Sequence, residues 1–132
     1  MKPYTQLFVH LVWATWDRAP LLEPGLRPVM EAAIRRECVK LGVEVVAFGA
    51  MADHVHLLVR LPTTISVASL VQQVKGSTSH LVNQELKVPF KWQGRYGAFT
   101  VSKPALPRAR EYVLNQEQHH REGTAHPSVE LD

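Results

Sequence analysis

"VEVVAFGAMADHVHLLVRL", residues 43 to 61, contains two strand-like runs, 43–50 and 54–61, separated only by Met51, Ala52 and Asp53. Short runs this rich in β-branched and apolar residues read as strands, and so brief a connection joins them as an antiparallel hairpin. Side chains alternate across a strand, so Val55, Leu57, Val59 and Leu61 share one face. That face belongs against a core. His54, His56, Leu58 and Arg60 share the other. The two histidines stand roughly 6.6 Å apart along the strand at a rise of about 3.3 Å per residue. Their imidazoles can lean together onto one metal ion, with Asp53 placed to orient one of them. A pair of solvated histidines on a half-exposed strand fits the same spacing equally well. A closed zinc site of four protein ligands is not expected, because the sole cysteine, Cys38, falls on the apolar stripe of a helix. What the pair allows is a two-histidine site with a further ligand and open positions, which is a catalytic geometry.

Working outward, "QLFVHLVWAT" (6–15) reads as a buried strand. Leu26, Met30, Ala33, Ile34, Cys38 and Leu41 form a helical stripe over 26–41, and Gly42 is a natural stop. After the Pro62-Thr63-Thr64 turn, apolar residues from Val67 to Val82 mark a second long helix, and "GAFTVS" (97–102) a fourth strand. A last helix is expected to start near Pro107 and end before Gly123. Strand, helix, strand, strand, helix, strand is the α+β ferredoxin-like (RRM-like) pattern, an antiparallel sheet with both long helices on one face. The reading is of one domain over residues 1–122, with 123–132 a flexible tail. The second face of the sheet is expected to stay open for a ligand, nucleic acid or another subunit.

A chain of 132 residues with 45% hydrophobic and 20% charged residues can bury a core without staples. One cysteine excludes an internal disulfide framework and suits a reducing cytoplasm. "MKPYTQ" lacks the apolar stretch of a signal peptide, and no apolar run is long enough for a membrane span. The net charge of +3 leans weakly towards a nucleic-acid partner.

The stretch "PRAREYVLNQEQHHREG" (107–123) is the least apolar of the expected helices, with Ala109, Val113, Leu114 and Tyr112 its only such residues. It lacks a broad stripe to pin it to the core and is expected to be loosely anchored. Tyr112 and Gln116, four apart, share a face with His119 beyond them. A tyrosine beside an amide is either a nucleophile delivered to a metal site or a ring packed on the sheet. Lys75, Lys87, Lys91, Arg95, Lys103, Arg108 and Arg110 are interleaved with Trp92, Tyr96 and Phe99. Such a set suits unpaired bases and their phosphates, or else is a solvated surface with core aromatics.

Taken together these blocks resemble the single-tyrosine transposases of the HUH superfamily, the TnpA type of small bacterial insertion sequences. The matching stretches are "HLVWATWDRAPLL" (10–22), "MADHVHLLVRLP" (51–62), "ISVASLVQQVKGSTS" (65–79), "WQGRYGAFTVS" (92–102) and "YVLNQEQHHR" (112–121). The resemblance implies a metal-dependent single-strand DNA endonuclease and strand transferase that cleaves near hairpin ends through a 5′-phosphotyrosine intermediate. By position it makes His54 and His56 metal ligands, Gln116 the third ligand and Tyr112 the nucleophile. It implies Mg2+ or Mn2+ as cofactor, single-stranded DNA with hairpins as partner, and a homodimer in which one subunit's tyrosine helix can complete the other's site. DNA contacts are expected at Lys75, Lys91, Arg95, Lys103, Arg108, Arg110, Trp92 and Tyr96. Two alternatives remain: a domesticated REP-associated tyrosine transposase, and a non-catalytic RRM-like nucleic-acid-binding module.

Overall fold

The computed structural model describes residues 4–115, and the hairpin read from 43–61 lies at one side of its sheet. The elements are β1 (Phe8–Ala14), α1 (Arg27–Lys40), β2 (Glu44–Ala50), β3 (His54–Arg60), α2 (Val67–His80), β4 (Gly97–Val101) and α3 (Leu106–Leu114). The strands lie in the order β2-β3-β1-β4, each neighbouring pair antiparallel. This is the expected ferredoxin-like arrangement. It puts β1 and β3, the two strands with the longest apolar runs, at the centre, where both faces can be buried.

The first face is built as the alternation dictates. Val9, Leu11 and Trp13 of β1 and Val55, Leu57 and Val59 of β3 form one core with α1 and α2. The first helix contributes Met30, Ile34 and Cys38, begins with Pro28 in its first turn and ends at Gly42, whose φ of +72° takes the left-handed conformation glycine permits. The second is capped by Ser66, whose side chain accepts from the Ser69 amide at 3.1 Å, and continues into a π-helical turn over Leu81–Glu85.

The second face is where expectation and structure part. It is not open: α3 lies on it, with Val113 fully buried against Ala47 and Leu58 and with Leu106 and Ala109 alongside. Leu106, Ala109 and Val113 are spaced i, i+3, i+7, which gives a narrow but continuous apolar stripe. Leu106 falls before the expected start at Pro107, so a count taken from Pro107 misses the first member. A β-bulge at Val46 completes the fit, because it lets Val46 and the adjacent Ala47 both pack on the α3 side. The helix is therefore anchored, not loose.

Candidate active site

The register of the two central strands decides what surrounds the histidines. Val12 stands opposite His56 and His10 opposite Leu58, so His10 and His56 are diagonal neighbours on the same face. His10 Nε2 lies 2.8 Å from His56 Nδ1, inside hydrogen-bond distance. The ring centroids of His54 and His56 are 5.1 Å apart. All three rings are buried, His10 at 4%, His54 at 2% and His56 at 0% exposure. The half-exposed strand considered from the sequence does not occur, because α3 lies over this face.

Asp53 does what its position promised. Its Oδ1 lies 2.8 Å from His54 Nδ1, and its Oδ2 accepts from Arg18 Nε at 3.0 Å. Partial burial works against the carboxylate, but the hydrogen bonds to His54 and Arg18 outweigh it and hold the carboxyl below its ordinary range. The backbone is fixed as well, since the Thr15 amide donates to the Asp53 carbonyl at 2.9 Å. Arg18 reaches the aspartate from a turn in which Asp17 and Arg18 both have φ of +54°, a conformation uncommon for side-chain-bearing residues. Gln93 steadies that turn by accepting from the Asp17 amide at 3.1 Å.

The last helix carries Tyr112 into this group. With Val113 turned into the seam against the sheet, the Tyr112 ring stands edge-on to His56 at 6.0 Å and to His10 at 6.1 Å, centroid to centroid. The tyrosine is half-buried. Sequence reasoning placed His54, His56, Asp53 and Tyr112 in one site, and the fold brings them together. It missed His10, which belongs to the face shared by Phe8, Val12 and Ala14. That face could have been read from alternation, but not its register against β3.

The donor set suits a divalent metal. Two imidazoles side by side, each with its Nδ1 committed to a neighbour, would present Nε2 nitrogens to an ion. Among the described residues no group of three or more His, Cys, Asp or Glu side chains is arranged to hold a metal. The histidines would therefore need oxygen from another donor. Gln116, expected to be that donor, lies outside the described residues, as do His119 and His120.

The expected DNA-contact residues divide in two. Trp92 is core: it is 7% exposed, packs edge-on against Phe90 and Trp13, and donates Nε1 to Thr78 Oγ1 at 2.9 Å. Its ring is not open to a base. Lys75 is half-buried and donates to the Gln93 carbonyl at 2.5 Å and the Arg95 carbonyl at 3.3 Å, and burial lowers its pKa. It ties α2 to the segment before β4. Lys91, Arg95, Lys103, Arg108 and Arg110 are exposed. Tyr96 lines a cavity of about 550 Å3 between α2 and residues 90–96, beside Gln72, Ser79 and Gln93. An aromatic not singled out from the sequence, Trp16, is half exposed with Lys91 Nζ 3.9 Å from its ring centre.

Residues 3–116 match the family of IS200-like transposases, and the chain belongs to that family of HUH tyrosine transposases. It is 26% identical over 118 residues to the ISDra2 transposase TnpA of Deinococcus radiodurans, covering 84% of this chain and 84% of that one. It is 25% identical over 114 residues to the IS200 transposase of Salmonella typhimurium, covering 81% of this chain and 74% of the relative. Among solved structures, a transposase-like protein of D. radiodurans R1 superposes with a TM-score of 0.67 at 26% identity, over 94% of this chain and 98% of that one. A REP-associated tyrosine transposase bound to a REP hairpin superposes equally well, at 0.67, with 16% identity over 95% of this chain and 74% of that one. The last likeness speaks to the fold.

Proposed function

We propose that this protein is a metal-dependent single-strand DNA endonuclease and strand transferase. In this reading it cuts near hairpin ends, holds the 5′ end as a phosphotyrosine, and rejoins it to another strand. Tyr112 is the nucleophile, and His54, His56 and Gln116 hold Mg2+ or Mn2+. The observation that carries this reading is the placement of the Tyr112 ring 6.0 Å from that of His56, on a helix pinned by Val113.

The phenolic oxygen of Tyr112 attacks the scissile phosphorus, forming an O–P bond as the bond to the 3′ oxygen breaks. That oxygen leaves as a 3′-hydroxyl and takes up a proton, while the phenol releases one. A second 3′-hydroxyl then attacks the phosphotyrosine and frees the phenol, so the phosphodiester is remade without ATP. When bound, a divalent ion would offset the negative charge that develops on the phosphate. Exposed Lys91, Arg95, Lys103, Arg108 and Arg110 would neutralise backbone phosphates, and Tyr96 and Trp16 would stack on unpaired bases. Among the described residues no helix is long and apolar enough to cross a membrane, and the reading places the enzyme with DNA in the cytoplasm, as a homodimer.

The test is incubation of the full chain with single-stranded DNA carrying the flanking hairpin, with Mg2+ or Mn2+, followed by a denaturing protein gel. Wild type is expected to give a covalent protein–DNA band that is absent in EDTA and in Tyr112→Phe. Metal-independent hairpin binding without that band would replace this reading with a non-catalytic binding module.

A further inference from the structure

We propose that His10 is a positioning residue that fixes the tautomer of His56. The inference deepens the metal-site reading above: the contact between the two rings stands without it, and the direction of the hydrogen bond rests on it. A neutral imidazole carries one proton on either of its nitrogens, and only the nitrogen without it can bind a metal. For His54 the choice is made by Asp53. An ionised carboxylate can only accept, so the His54 proton sits on Nδ1, 2.8 Å from Oδ1. For His56 that place is taken by another imidazole, with His10 Nε2 2.8 Å from Nδ1.

Two neutral rings can share that contact in two ways. His56 Nδ1–H donates to His10 Nε2, or His10 Nε2–H donates to His56 Nδ1. The first leaves the lone pair of His56 on Nε2 and the His10 proton on Nδ1. The second puts a proton on His56 Nε2 and blocks it as a ligand. Only the first makes the H-x-H pair a matched set of two nitrogens, each held from behind through Nδ1. The contact is set by the strand ladder, because Val12 opposite His56 places His10 one diagonal step away on a central strand. Burial of both rings keeps water from competing for the proton. His10 thus stands to His56 as Asp53 stands to His54, and it does so from a different strand.

Long-range proton–nitrogen NMR of the metal-free full chain at about pH 8, where unperturbed histidines are neutral, reads the tautomer directly. Wild-type His56 is expected as the Nδ1–H form. His10→Phe, which keeps a ring but removes the acceptor, is expected to lose that preference. His10→Gln, whose amide oxygen can accept, is expected to retain it. Mn2+ affinity measured by EPR without DNA should fall about 10- to 100-fold in His10→Phe and much less in His10→Gln. An Nε2–H form of His56 in wild type, or His10→Phe binding Mn2+ as wild type does, overturns the proposal. Wild type with the Nδ1–H form but no Mn2+ uptake would leave the tautomer assignment standing and sink the metal-site reading instead.

Discussion

At the scale of single residues, the site depends on how Asp53 is held. It is a partly buried carboxylate whose two oxygens serve two partners, His54 and Arg18. Because these contacts outweigh its desolvation and lower its pKa, it is ionised at neutral pH and can only accept from His54. Asp53→Ala is therefore expected to weaken Mn2+ binding about 10- to 100-fold by freeing the His54 ring. Asp53→Asn, which keeps an accepting oxygen, should lose less, and calorimetric titration of both would show it. Equal loss in the two would mean that charge near the metal matters and ring orientation does not. The turn that delivers Arg18 contains two left-handed residues, each costing on the order of 1–3 kcal/mol. The sequence made His54, His56 and Asp53 legible because their relation is local, within one strand and its first flanking residue. His10 and Arg18 were not legible, since both reach this site only through the pairing of β1 with β3.

At the scale of elements, the strands and the first two helices could be read almost residue by residue, since period-2 and period-3.6 patterns set their core faces. The seating of α3 could not. Its stripe has three members, one of them before the proline that marked the expected start, and the surface receiving it depends on a bulge that alternation does not reveal. Val113→Ala tests that seating. Loss of two buried methyl groups should cost about 1–3 kcal/mol in urea unfolding. The covalent DNA adduct should fall with it, since Tyr112 is the adjacent residue. Unchanged stability would mean that the helix does not rest on this seam in solution. Trp92 was misplaced for a related reason: basic neighbours on either side suggested a DNA surface, while its actual partner, Thr78, lies on α2. Thr78→Val leaves the buried indole N–H without its acceptor. That should destabilise the fold by about 1–3 kcal/mol, measurable as a lower urea midpoint, with little effect on DNA cleavage by the folded fraction.

At the scale of the whole molecule, stability and catalysis can each be probed by one titratable or chemical group. Cys38 is buried in the main core, and desolvation first, with Glu37 adding to it, pushes its thiol up to about 11 from an ordinary 9.0. Folding therefore holds a proton that the unfolded chain has already lost. The associated stability is present below pH 9 and is lost as pH rises through about 11. Urea midpoints between those values should fall more steeply for wild type than for Cys38→Ala; parallel slopes would exclude the thiol as the cause. The larger question is whether one chain holds a complete site. The family resemblance implies a tyrosine helix that can serve a partner subunit, yet here α3 packs on its own sheet and Tyr112 faces its own His10 and His56. The seam that holds the helix is made chiefly by β2 and β3 and the wall that faces the tyrosine by β1 and β3, so both include β3, and moving the helix to a partner would require breaking the seam to take Tyr112 from that wall. We therefore expect cleavage in cis. Co-expressed, differently tagged Tyr112→Phe and His56→Ala chains should form no covalent adduct when purified together, because neither chain has both the nucleophile and the metal ligand. An adduct on the His56→Ala chain alone would show that its tyrosine had reached the intact histidines of its partner. In that case the packing of α3 described above would be a resting state that opens before the cut.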